Sequence, residues 1–120
     1  MKKILTVLAI ALMLVSTANA SPEMKTILDG VVATGASSGV GCGIYESKTL
    51  YIVASDVTTG GVITVDTSPD NSNWVTLNTQ TITGDGVTEV AIVGLVHKYI
   101  RANLTTRTDG TYTVYLFMKD

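Results

Sequence analysis

Few residues in this chain have side chains suited to chemistry. There is one cysteine, Cys42, and one histidine, His97, a combination that could serve as nucleophile and base if the fold joined them. No motif surrounds either residue, and the expected reading is that each is structural or exposed by accident, with no catalytic role. Asp66, Asp70, Asn71 and Asn73 crowd oxygen atoms into one short stretch, which would suit a hard cation. The same residue types form turns, because their side chains hydrogen-bond nearby backbone amides. Their spacing matches no EF-hand, so a turn is expected and not a calcium site. Trp74 could be a stacking platform for a sugar or a subunit, or a core aromatic; the core is favoured. Arg101 reads as a surface strand residue. No paired carboxylates, Ser/His/Asp set or metal cluster appears, so no catalytic, cofactor-binding or metal-binding residue is assigned.

The stretch Thr34-Gly35-Ala36-Ser37-Ser38-Gly39-Val40-Gly41 looks like the cofactor loop of short-chain dehydrogenases. That loop works only with a helix directly behind it, whose first amides meet the pyrophosphate. Here Cys42-Gly43-Ile44-Tyr45 and then an extended run follow, so no nicotinamide cofactor is expected. The glycines predict a surface loop over Gly35–Gly43 that leaves Cys42 accessible. An accessible Cys42 would be available for a covalent lock between neighbouring subunits.

The elements that must position these residues are strands. The chain has 120 residues, 46% hydrophobic but only 15% charged, and is rich in Thr, Val and Gly. Extended runs are predicted at Lys25–Ala33, Thr49–Ala54, Val62–Asp66, Trp74–Thr83, Val87–Val93, His97–Thr105 and Thr111–Met118, with turns between them. Thr49–Ala54 is apolar on both faces and reads as a central strand. Asp109-Gly110 predicts a tight hairpin joining the last two runs. The result is an all-β, jelly-roll-like antiparallel sandwich of seven or eight strands. In the last run Tyr112, Val114, Leu116 and Met118 share one face, and Tyr115 and Phe117 the other. A small two-layer domain can bury only one of those faces, so Tyr112, Tyr115, Phe117, Trp74 and Cys42 are the candidate interaction residues.

Met1–Ala20 has Lys2 and Lys3, an apolar run from Ile4 to Val15, and Ala18-Asn19-Ala20. This is the pattern of a bacterial-type secretory signal peptide cleaved after Ala20, leaving residues 21–120 as one secreted, periplasmic or cell-surface domain. The apolar run is too short to span a bilayer, which needs about 20 residues. Without Lys2 and Lys3, six basic residues face ten acidic ones, and the formal charge moves from −2 to −4. Such a domain lacks the basic stripe that nucleic-acid binding requires. A single cysteine permits no intrachain disulfide.

From Leu50 to Met118, the pattern Ser68-x-Asp70-x-x-Asn73-Trp74-x-x-Leu77, then Lys98-Tyr99-Ile100-Arg101-Ala102 and a Gly110-led strand, resembles small β-sandwich domains of bacteriophage virion structural proteins. It is more loosely similar to discoidin-type (F5/8 type C) jelly-roll domains. The first resemblance implies a non-enzymatic subunit that works by self-assembly or by binding other protein subunits. The second implies a carbohydrate-binding module.

Overall fold

The computed structural model describes residues 22–94 and 97–120, which form nine β-strands and no helix. The signal-peptide reading of residues 1–20 lies outside the described residues. The strands are β1 (Glu23–Val31), β2 (Gly35–Ala36), β3 (Val40–Gly41), β4 (Ser47–Ser55), β5 (Gly61–Ser68), β6 (Val75–Ile82), β7 (Gly86–Val93), β8 (Tyr99–Arg107) and β9 (Thr111–Lys119). Seven of them correspond to the runs expected from sequence. The two extra strands, β2 and β3, are two residues long and lie within the glycine-rich stretch expected to be only a loop. Both pair with β8.

All pairings are antiparallel and they nest. β1 pairs with β9, β2 and β3 with β8, β4 with β7, and β5 with β6. The chain is therefore a long hairpin, with the β5–β6 loop at its tip, wrapped so that successive pairs fall alternately into two sheets. Pairing of β4 with β9 and of β5 with β8 completes the sheets, in the orders β1-β9-β4-β7 and β2-β8-β5-β6.

Strand periodicity dictates the core. Side chains alternate faces along a strand, so Lys48, Leu50, Ile52 and Ala54 of β4 point inward together with Tyr112, Val114, Leu116 and Met118 of β9. They meet Ile63 and Val65 of β5 and Ile100, Ala102 and Leu104 of β8 in one cluster shared by both sheets.

The expected β8–β9 hairpin does not form. β8 and β9 lie in different sheets, and Asp109-Gly110 is the corner by which the chain crosses between them. The Asp109 carboxylate accepts the backbone N–H groups of Thr58, Thr59 and Gly60, the nearest at 2.8 Å. These belong to another crossing at this end, from β4 to β5. In return the Thr108 amide donates to the Gly60 carbonyl at 2.9 Å, and the Tyr112 hydroxyl donates to the Asp109 carbonyl at 2.8 Å. Gly60 has φ +110°, and a Cβ there would lie 1.7 Å from the Ile82 carbonyl oxygen, so only glycine fits this corner.

The amides of Thr59, Gly60 and Thr58 hold the Asp109 carboxyl below the usual carboxylate range, and those of Asn73 and Ser72 do the same for Asp70. Both groups have a lower pKa folded than unfolded, so on acidification the unfolded chain takes up protons first. Their stabilisation is present above about pH 4 and is lost as the pH falls further. Thermal melting followed by circular dichroism should show a falling Tm over that acid range. Asp109→Asn should lower Tm at neutral pH and flatten the acid dependence.

Candidate functional site

The side chains of β4 and β9 that do not enter the core face outward, and cross-strand register assembles them into rows. Met24, Phe117, Thr49 and Ala91 form one row across the four strands. Thr26, Tyr115, Tyr51 and Glu89 form the next, followed by Thr113, Val53 and Val87. Lys119, Ser47 and Val93 close one end. Tyr51 and Tyr115 are directly opposite each other at the centre, within side-chain contact range for cross-strand partners.

This face is solvent-facing and mixes aromatic and aliphatic side chains with threonines. Val87 is 65% exposed, Val93 68% and Met24 58%, while Tyr51, Val53, Tyr115 and Phe117 are half-buried among their neighbours. Only two of the residues in these rows are charged. Glu89 sits on the edge strand β7, and Lys119 lies at the end of β9. The chemistry of this surface is the exclusion of water from a flat area around a tyrosine pair.

Sequence reasoning found Tyr115 and Phe117 but missed Tyr51, Val53, Val87 and Val93. For Tyr51 and Val53 the available signal was parity with Thr49 in a strand already expected. Tyr112, taken as an interaction candidate, is instead fully buried in the core, where burial raises its phenol pKa.

The remaining candidates gather at the tip of the long hairpin, on the other sheet. Asp66 lies on β5, not in the loop, and is 3% exposed. Arg101 donates its Nε–H to Asp66 at 2.9 Å, and the Thr76 hydroxyl donates to the same carboxylate at 3.1 Å. The Arg101 guanidinium also stacks on Trp74, 4.4 Å from the ring centroid. Trp74 is thus half-buried outside the core, contrary to expectation, with one ring face occupied. Arg101, expected at the surface, is the partner of a buried charge.

Asp70 caps its own turn, accepting the amides of Ser72 at 2.9 Å and Asn73 at 2.8 Å and the Asn73 side-chain amide at 2.6 Å. Asn71 takes the left-handed conformation the turn needs, at φ +63°. The four oxygen-bearing residues therefore split between a buried ion pair and a turn. A Cβ on Gly39 would lie 1.9 Å from the Asn71 side-chain oxygen, so the glycine-rich stretch packs on this loop.

That stretch uses its amides in the sheet. Ser37 N–H donates to Ala102 O at 2.8 Å and Cys42 N–H to Lys98 O at 2.8 Å, so these amides are not free to meet a phosphate. Cys42 is fully buried, not accessible as expected, and its thiol donates to the His97 carbonyl at 3.2 Å. Burial pushes the thiol pKa up, against the opposing charge of Lys48. Lys48, also fully buried, donates to the Gly94 carbonyl. Cys42 and Lys48 thus hold carbonyls on either side of the β7–β8 crossover.

No protein-family model matches the chain, and no curated protein matches it. Among solved structures the chain is similar to the SPBc2 prophage-derived protein YomS, with a TM-score of 0.61 at 12% identity, over 83% of this chain and 96% of that one. At this identity the likeness is one of fold. The chain shares an all-β, two-sheet architecture with a prophage-encoded protein.

Arg101→Met should destabilise the protein by about 3 kcal/mol in urea unfolding, because it strands the Asp66 carboxylate. The double variant Asp66→Asn/Arg101→Met should be milder. Native Cys42 should resist thiol alkylation and react fully only on unfolding.

Proposed function

We propose that this protein is a non-enzymatic structural subunit of phage-related type, exported from a bacterial cell, that works by association with copies of itself or with other protein subunits. The observation that carries this reading is the outward face of β1-β9-β4-β7. Its aromatic and aliphatic side chains are contiguous, centred on Tyr51 and Tyr115, with Glu89 at the margin. Four strands about 4.8 Å apart and some eight residues long at about 3.3 Å each give a footprint of roughly 500 Å². Side-chain relief makes the accessible area larger, approaching the roughly 800 Å² per partner of a standard interface. An aromatic centre with charge displaced to the rim is the composition such interfaces favour.

The nested strand pairing supports a jelly-roll connectivity, an architecture used in viral capsid domains as well as in lectins. The likeness to a prophage-derived protein supports the phage side of that choice. The carbohydrate reading needs Trp74 as an open stacking platform, and Arg101 occupies one face of that ring. The domain acts without turnover. The only thiol is buried and burial raises its pKa, which disfavours the thiolate that the Cys42 nucleophile reading needs.

Sedimentation velocity on the protein as isolated from producing cells should show concentration-dependent association. Tyr115→Lys should weaken it by about 2 kcal/mol or more, roughly thirtyfold, at unchanged Tm. A native protein that stays monomeric at every concentration and binds no subunit from the same cells or virions would overturn the reading.

A further inference from the structure

β6, like β1, is a long strand that buries almost nothing, but unlike β1 it carries no charge. Of its eight residues only Ile82 is buried; Val75, Thr76, Leu77, Thr79 and Thr81 are exposed and Asn78 and Gln80 half-buried. Its neighbour on one side is β5, and among the described residues no strand pairs with its other edge. An open edge presents unpaired N–H and C=O groups that can template another strand.

The other sheet edges carry devices that discourage such pairing. β1 bears Glu23, Lys25 and Asp29 and breaks register twice, after Thr26 and after Leu28. β2 and β3 have two residues each. β7 has Glu89 at its middle. β6 has neither charge nor proline. One irregularity lies opposite Val65/Asp66, where Leu77 is the extra residue, and from Asn78 to Ile82 the register with Gly61–Val65 is unbroken. That uninterrupted segment is as long as an ordinary strand.

We propose that this edge pairs antiparallel with the same edge of a second copy of the chain, about a twofold axis through Gln80. The β2-β8-β5-β6 sheet then continues across two subunits. Thr79 would stand opposite Thr81 of the copy, Asn78 opposite Ile82, and Gln80 opposite itself. Charge selects the copy as occupant. Twofold pairing sets like residues at or near one another, which is costly for charged strands, and this segment has no charge to repel. The same operation on β7 would bring two Glu89 carboxylates close together. The Thr-rich, uncharged sequence gives hydrogen-bonding and β-branched cross-strand pairs instead.

This contact is separate from the outward face of β1-β9-β4-β7. A subunit carrying both self-complementary surfaces assembles beyond a dimer.

The test uses charge swaps at the axis, with sedimentation velocity and hydrogen exchange as readouts. In the native protein those amides of Asn78–Ile82 that point away from β5 should exchange more slowly as concentration rises. Gln80→Lys and Gln80→Glu should each lose that protection and one association step. An equimolar mixture of the two should recover both. Thr79→Lys, on an exposed side chain, gives the same measurement should a Gln80 variant melt early. Tyr115→Lys should leave the concentration-dependent protection of these Asn78–Ile82 amides in place, which separates this contact from the outward face of β1-β9-β4-β7. Exchange that is independent of concentration in the native protein, or charge variants that associate like the native chain, would overturn the proposal.

Discussion

The Asp109 carboxylate ties together two of the places where the chain crosses between sheets at one end of the domain. The nested pairing requires β4 to reach β5 and β8 to reach β9 across the core at this end, and neither crossing has a strand partner for its own backbone. Asp109 accepts three amides of the first crossing, while Gly60 offers its carbonyl to the second. Tyr112 is buried beneath and ties its hydroxyl to the same corner. Backbone groups that would otherwise compete for water are thereby satisfied, and the sheets are fixed in register relative to each other. Gly60 and Gly110, at φ +110° and +96°, supply the conformations that let the corner close.

With the sheets fixed, their outer faces take different roles. The face of β1-β9-β4-β7 has aromatic and aliphatic side chains and no covering element among the described residues. On the other sheet, Arg101, Trp74 and the capped loop cover Asp66 and Ser68, which are buried on the outward side of β5. Around Asp66 the second face is closed by the protein's own groups. The first remains available to a partner, and that asymmetry is the basis of the association reading.

The likeness to YomS at 12% identity fits this division of labour. Alternation of inward and outward residues is enough to maintain two sheets about one core, and many sequences satisfy it. The outward residues are released from that constraint. Shared fold at such identity therefore carries little about what each face binds.

What the sequence by itself determined was everything local. Period-two alternation marked seven of the strands, the central place of β4, and the division of β9 into a core face and an outward face with Tyr115 and Phe117. The Asp70 turn was legible because its hydrogen bonds span only two or three residues. The tertiary structure decided whatever depends on distant pairing. Asp109-Gly110 between two apolar runs reads as a hairpin, but the same dipeptide serves a corner once Thr58–Gly60 come within reach. Cys42 sits among glycines that suggested exposure, and it is buried because the Gly35–Gly41 stretch pairs with β8. Trp74 was expected in the core, yet Asp66 draws Arg101 onto its ring, and the indole stays half-buried outside that core. Lys48 follows the parity of Leu50 and Ile52 into the interior, a placement that a sequence reader discounts because an isolated lysine is costly there. The Gly94 carbonyl that receives it lies 46 residues away, and only folding could bring the two together.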